Sequence, residues 1–494
     1  MKKNLLISVA SVILCAVLLS GILVSCSQPA GPEETTPSVL DTTVPEEDIT
    51  TLPSNVDENG YLLDDLPELD YGKKEFTIFT WSNQTMWEWA ETDTTTGDII
   101  KDALFTRQAK TEDRLKVKIE IVKQPGEWEN RNSFIDAVYN NTSAGINDDS
   151  FDLIGQYTPA MGIGAVRGCY TDLSEIKYLD LEKPWWPDDI YTSSAIGGHV
   201  YGVAGDISCT LIRNMSCILT NLTLADSLHL PDFYALVKDH AWTAEKFLEF
   251  GTGTVTGLNP DGSSCLTTTF PSNVSYDNVF YSGGFRFVES TPEGGLQLSE
   301  DLSSTRMADW FDLWHGFWAQ PDTGVLGLTA TNGFTSGNVL FHFGSIADVQ
   351  NSLQEIEFKF GILPYPLYDK DQNDYCSICG YWVTMYSVPV TAPDKDMTGA
   401  VLECLGSEGY REITPAVYNV SFQYRYLNSI ENAEIFDLLH DTLIFEPGRT
   451  FGDQINCFAG FRQAAGQSDS WTSYYKGQSA VWKKNINKVV DALS

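Results

Sequence analysis

Glu75-Phe-Thr-Ile-Phe-Thr80, a helical stretch from about Thr96 to Arg114, and the alternation of Val117, Ile119 and Ile121 follow one another in a single run of the chain. The first segment is rich in aromatic and β-branched residues and ends at Trp81, beside Trp87 and Trp89, which reads as a strand entering an aromatic loop. Thr95 or Thr96 supplies a cap for the helix, and the period-2 alternation after it supplies a second strand. Strand, helix, strand is the repeating unit of an α/β sheet. A third β segment, Phe151-Asp-Leu-Ile154, runs into Gly155-Gln156-Tyr157 and again leaves an aromatic just beyond a strand end. Open α/β sheets bind their ligands outside the carboxyl ends of the strands, so these loops are the first place to look for a site.

Working outward, residues 196–206 (IGGHVYGVAGD) cluster glycines beside Cys209-Thr-Leu-Ile212, an apolar run that reads as an extended segment. Glycines placed there suit a crossover between two lobes. Residues 231–250 give one helix and then a second whose start is marked by Trp242-Thr243. Residues 334–342 read as a turn feeding a buried strand, and 360–364 as another. Trp310, Trp314 and Trp318, spaced by four, mark one buried helix face, and 470–492 close the chain with an amphipathic helix. There is no short repeat of fixed period.

The N-terminus is of another kind. Residues 1–26 (MKKNLLISVASVILCAVLLSGILVSC) place two lysines, an apolar run and a small residue directly before Cys26, the pattern of an export signal. An uncleaved membrane anchor is the competing reading of that apolar run. From Ser27 to Asp70 there are six prolines, twelve acidic residues and no Lys or Arg, a composition that cannot offset its ordering entropy and reads as a disordered tether.

The whole chain of 494 residues carries 67 Asp+Glu against 31 Lys+Arg, a net charge of -36, with 43% apolar residues. The apolar fraction excludes global disorder, and so acidic a surface repels phosphate backbones, which argues against a nucleic-acid partner. Among the ten cysteines only Cys376-Ser-Ile-Cys379 has redox or zinc spacing; no second such pair accompanies it, and a structural pair or core thiols are the expectation. Asp369 to Asp374 begins like a calcium loop but has Asp374 at the required glycine and Gly380 at the required glutamate, which leaves a polar turn. No HExxH, GxSxG or P-loop occurs, so neither a catalytic residue nor a metal or cofactor site is expected.

The order of segments resembles the family 1 extracellular solute-binding proteins, the lipid-anchored sugar receptors of ABC importers in Gram-positive bacteria. The residues that carry the resemblance are the lipobox-like Leu23-Val-Ser-Cys26, the acidic tether, strand 75–80 with its aromatic loop, FDLIGQYTPAMG and TDLS within 151–174, KPWW at 183, GGHVYGVAGD at 197, AWTAEKF at 241, FTSGNVLF at 334, FGILPYP at 360, and YSVPVTAPDKDMTGAVLECL at 386. The resemblance implies an α/β, two-lobed, periplasmic-binding-protein-like fold with hinge crossovers and an interlobe ligand cleft. It implies a signal peptide at 1–25, a lipidated Cys26 heading the tether 26–70, a first lobe at 71–203 plus 328–385, and a second at 204–327 plus 386–494. It further implies a monomeric receptor on the outer face of the cell membrane that hands a carbohydrate to ABC permease subunits without catalysis.

Sugars suit the composition, because pyranose faces stack on aromatic rings while carboxylates and amides bind hydroxyls. Strand-end position and the resemblance together select Trp81, Ser82, Asn83, Gln156, Tyr157, Asp206, Tyr281, Gly344, Ser345, Tyr381 and Trp382 as candidate ligand contacts, with Trp81 and Trp382 read as equivalent stacking platforms. Trp185 and Trp186 are read as structural. Two other readings stand beside this one: a receptor for a peptide or cationic solute, favoured by the negative charge, and a secreted carbohydrate-active enzyme using paired carboxylates.

Overall fold

A computed structural model describes residues 55–192, 195–251, 266–268, 273–292, 294–319, 334–337, 339–353, 356–422 and 429–493. The export signal, Cys26 and the tether up to residue 54 lie outside them. Residues 55–65, expected to belong to the disordered tether, instead close on themselves: Val56 bridges Leu62, the Asn55 amide donates to the Leu63 and Asp64 carbonyls, and the Asp57 carboxylate accepts from the Asn59 and Tyr61 amides. Asn and Asp side chains that capture nearby backbone groups order a turn whatever the surrounding composition.

From Leu66 onward the chain forms a compact unit containing ten strands: β1 (Lys74–Trp81), β2 (Val117–Gln124), β3 (Leu153–Tyr157), β4 (Ser216–Asn221), β5 (Leu266–Thr268), β6 (Val288–Ser290), β7 (Leu296–Leu298), β8 (Val339–Ser345), β9 (Phe360–Leu363) and β10 (Thr384–Ser387). One four-stranded sheet has the order β10-β3-β1-β2, and another β5-β8-β4-β9; β6 and β7 form a separate hairpin. In the first sheet β2 and β3 both run parallel to β1, so Trp81, Gln124 and Tyr157 end at one edge. β10 runs antiparallel to β3 and pairs Thr384 with Tyr157, which brings Tyr381 and Trp382, just before Thr384, to that same edge.

The helix Ile99–Leu115 that links β1 to β2 is capped by the Asp98 carboxylate, which accepts from the amides of Ile100 and Lys101. The expected caps are one turn early: Thr96 and Gly97 donate to the Asp102 carboxylate instead, which tightens the entry. Ile100, Ala103, Leu104, Arg107, Thr111 and Leu115 are buried, a stripe at helical spacing that packs on the helix Lys395–Phe422. That second helix also packs on the loop before β4. A Cβ at Gly409 would sit 2.1 Å from the Asp206 carbonyl, so backbones meet there at a distance only glycine permits.

Two expectations are corrected. Cys209–Arg213 is a buried helical turn rather than a strand, and the strand begins at Ser216. A short apolar run enclosed on all sides carries no periodicity to separate the two. β8 and β9 hydrogen-bond to β4, and β10 to β3. Residues 339–363 therefore belong with 216–221 and not with the 74–157 strands, whereas 386–387 belong with those strands, the reverse of the expected lobe allocation at both places. The chain passes from the first sheet to the second between Tyr157 and Ser216, and back between Leu363 and Thr384.

The passage is fastened by buried polar groups. Asp206 is fully enclosed; one carboxylate oxygen faces His440 Nε2 at 2.7 Å and the other accepts from the Thr414 hydroxyl at 3.0 Å. Burial opposes charge on His440, but Asp206 and Asp441 outweigh it and hold its pKa well above the ordinary value. A pKa raised on folding contributes stability that is complete below the unfolded value, about 6.5, and is lost as pH rises through the folded one. The urea midpoint difference between the native chain and His440→Gln is expected to be largest at pH 6 and to shrink toward pH 9. A difference that grew with pH would refute the assignment.

Candidate functional site

Three aromatic side chains converge at the carboxyl edge of the first sheet. The Trp81 and Trp382 rings stack with centroids 5.9 Å apart and planes 26° apart, and Tyr157 lies 5.2 Å from Trp81 and 6.5 Å from Trp382. They converge because β1 and β3 are parallel and end together while β10 returns antiparallel beside them. Their environments differ. Trp81 is completely buried and its indole N–H donates to the Thr384 hydroxyl at 2.9 Å, whereas Trp382 keeps 47% of its surface exposed. A half-exposed indole backed by two further rings is a flat apolar platform open on one side.

Beside this stack lies a cavity. Thr158 and Pro159, at the start of the helix that follows β3, form part of its wall; Cys379, Gly380 and Tyr381 continue it, and Ile444, Phe445 and Glu446, with Arg449 and Thr450 of the short helix Pro447–Thr450 that follows them, close it. Beneath the wall, the Tyr381 hydroxyl and the Arg462 guanidinium both donate to Asp277, the latter at 2.6 Å. Tyr281 donates to Glu446 at 2.7 Å, and the Val288 amide donates to the other oxygen of the same carboxylate. Asp277 and Glu446 are each 1% exposed, and burial pushes both carboxyls up to about 7 against the pull of the neighbouring arginines and, for Glu446, of its hydrogen-bond donors. Burial likewise pushes the Tyr157 phenol up to about 12, with Arg449 and Arg131 near enough to oppose it.

Of the eleven candidate contacts, Trp81, Tyr157, Tyr381 and Trp382 come together at this edge. Ser82 and Asn83 flank it but are committed locally: the Ser82 amide donates to the Gln124 carbonyl and the Asn83 side chain accepts from the Gly126 amide. The other five are engaged by their own surroundings. Gln156 is fully buried, donating to Ser387 and accepting from Tyr170, because side chains alternate along β3 and it points into the layer below. Asp206 is consumed by His440 and Thr414. Ser345 and the Asp348 carboxylate form the capping box of the helix that follows β8, and a Cβ on Gly344 would press on Asp348 and His342. Among the described residues no hydrogen bond or ring contact joins Gly344 or Ser345 to the aromatic stack. Tyr281 is buried beneath the cavity wall and its hydroxyl donates to Glu446.

Sequence reasoning missed Arg449, Arg462, Asp277 and Glu446. The available signal was the scarcity of bases: an arginine three residues after Glu446, in a Pro-Gly turn of a strongly acidic chain, has few reasons to be there. The seven described cysteines are free thiols, Cys376 and Cys379 included. Among the described residues no group of three metal-ligating side chains occurs, and no helix is long and apolar enough to cross a membrane.

Comparison with solved structures places the fold. A family 1 extracellular solute-binding protein from Bifidobacterium longum subsp. infantis is 15% identical with a TM-score of 0.52, over 84% of this chain and 100% of that one. UgpB from Mycobacterium tuberculosis, solved in complex with glycerophosphocholine, is 13% identical with a TM-score of 0.54, over 84% and 98%. The galacto-N-biose/lacto-N-biose I-binding protein of a Bifidobacterium longum ABC transporter, in complex with lacto-N-biose, is 10% identical with a TM-score of 0.53, over 86% and 98%. At these identities the likeness establishes the fold: the chain has the two-lobed α/β fold of solute-binding proteins. No protein-family model matches the chain, and none of the curated proteins matches it in sequence.

Proposed function

We propose that this protein is a non-enzymatic receptor that encloses a carbohydrate, of oligosaccharide size, at the edge where Trp81, Tyr157 and Trp382 meet, and delivers it to the permease subunits of an ABC importer. The observation that carries the reading is the Trp382 platform, half exposed and stacked on a buried tryptophan at the strand ends of this fold. One sugar face laid on that ring would bury C–H groups while its hydroxyls turn to the few polar groups of the cavity wall, Arg449 among them. In this reading β1, β2, β3 and β10 belong to one lobe and β4, β5, β8 and β9 to the other, with the two passages of the chain as hinges. Ligand contacts to both lobes then favour the closed form, which the permease reads. The lipid on Cys26 would hold the receptor on the outer face of a Gram-positive membrane.

The rival readings fit the geometry less well. A cationic solute would meet the Arg449 guanidinium in the cavity wall. A hydrolytic acid pair needs protons within reach of substrate, and the two carboxyls near 7, Asp277 and Glu446, are enclosed and bonded to protein partners. Thermal shift and calorimetry against oligosaccharides, peptides and polyamines test the proposal. A ligand at a hundredfold excess over its Kd stabilises the folded state by about 2.7 kcal/mol. Stabilisation by a peptide or polyamine and by no sugar would overturn it.

A further inference from the structure

Three arginines stand around the aromatic edge, and their charges are not matched alike. Arg131 pairs with Asp453 at 2.5 Å, and Arg462 pairs with Asp277 at 2.6 Å. Arg449 makes no ion pair among the described residues. The acid one turn before it, Glu446, forms no ion pair with it and spends its oxygens on the Tyr281 hydroxyl and the Val288 amide. What touches Arg449 is neutral: it donates to the Cys379 carbonyl at 3.0 Å, its guanidinium carbon lies 5.1 Å from the Tyr381 ring centre and 6.0 Å from that of Tyr281, and its Nε is buried without a partner; the Asp277 and Glu446 carboxyls attract it only from beyond ion-pairing distance. Part of the side chain forms the cavity wall beside the platform.

A half-buried guanidinium with no carboxylate in contact keeps unused donor capacity, which an acceptor bringing its own charge would satisfy. Ring stacking orients the guanidinium without neutralising it. Elsewhere the chain has acid to spare, with a net charge of -36, so the missing partner at this one position is not for want of carboxylates. The Arg449 charge is met only at a distance, by carboxyls already bonded to other groups, so one negative charge in contact suits it, and the adjacent Glu446 would repel a second. We propose that the saccharide taken by this site carries a singly charged anionic substituent, a carboxylate or a sulfate ester, and that Arg449 is its counter-ion. The proposal rests on the carbohydrate reading given above and narrows it to acidic sugars.

The test is calorimetry on the full-length protein with a glucuronate-containing disaccharide and a trisaccharide carrying a single galacturonate, each against its carboxyl-reduced product and against that product bearing one sulfate ester. At least one acidic sugar is expected to bind about tenfold or more tighter than its neutral counterpart, the scale of a charge-assisted hydrogen bond. Arg449→Gln should bring that ratio to near one, while Arg449→Lys keeps a preference of several-fold because it keeps the charge; thermal melts establish that both variants are folded. Which arm gains, uronate or sulfate, identifies the anion. Neutral sugars binding as tightly as their acidic partners in the native protein would overturn the inference whatever the variants do, as would a preference that survives Arg449→Gln. Failure of every saccharide, acidic and neutral alike, would instead overturn the carbohydrate reading.

Discussion

Arg107→Leu is expected to lower the stability of the folded chain by about 3–5 kcal/mol, the scale of stranding two buried carbonyls and removing a buried cation from beside a buried carboxyl. Arg107 is completely buried, lies 4.7 Å from the centre of the Trp89 ring, and donates to the Ile207 carbonyl at 2.5 Å and to the Glu88 carbonyl. The Glu88 side chain, also completely buried, accepts from the Ser208 hydroxyl and the Thr210 amide at 3.1 Å and from the Tyr386 hydroxyl at 3.2 Å. Burial raises the Glu88 pKa, and the Thr210 hydroxyl and the Arg107 charge hold it back. Leucine fills part of the space but strands two carbonyls and removes the cation, so the carboxyl takes up a proton or stays charged at greater cost. The loss falls on the passage between the two sheets, since the knot ties the segment after β1 to residues 207–210 and to β10. Urea denaturation measures it. A second change, Glu88→Gln, should recover part of the loss in the Arg107→Leu background while costing stability on its own, because it removes the charge that has lost its partner. A loss below about 1 kcal/mol for Arg107→Leu would mean the site relaxes and hydrates, contrary to the packing seen.

The knot also shows which parts of this molecule could be read in one dimension. The strand–helix–strand run at 75–121 was legible because its apolar spacing and its caps are local, and the strand-end position of Trp81 and Tyr157 followed from it. Lobe membership was not: that Phe360–Leu363 pairs with Ser216–Asn221 is decided by contacts across about 140 residues, to which no local pattern points. The Cys209–Arg213 turn was misread because complete burial erases the alternation that separates helix from strand. The tether was drawn too long because composition describes an average, while a single Asn55 amide and a single Asp57 carboxylate suffice to order 55–65. Half of the site has the same character. The aromatic platform arises from adjacent strand ends, but Arg449, Arg462 and Asp277 reach it from sequence positions far from β1 and β3, and their chemistry emerges only when the surrounding acids are seen to be occupied.

Burial separates the two tryptophans that sequence treats as equals, and replacing each by alanine is expected to give opposite results. Trp382→Ala removes a ring that is 47% exposed and makes its ring contacts with Trp81 and Tyr157. Little folding stability is at stake, while a sugar stacked on that ring loses its platform; affinity should fall by about 1–3 kcal/mol, or roughly 5- to 150-fold, with a melting temperature close to that of the native chain. Trp81→Ala removes a fully buried ring whose Cβ already lies against the space a Gly126 Cβ would need, 2.8 Å away, and leaves the Thr384 hydroxyl without its indole donor. A cavity of that size costs about 3–5 kcal/mol of stability. Any loss of affinity in Trp81→Ala then follows from displacement of Trp382, so Trp81→Phe, which keeps a ring behind Trp382, should restore most of the binding while still lacking the indole hydrogen bond. Calorimetry for affinity and thermal denaturation for stability read the two quantities separately. Unchanged sugar affinity in Trp382→Ala would remove the platform from the site, and an unchanged melting temperature in Trp81→Ala would show that the ring is not the packing element its burial makes it.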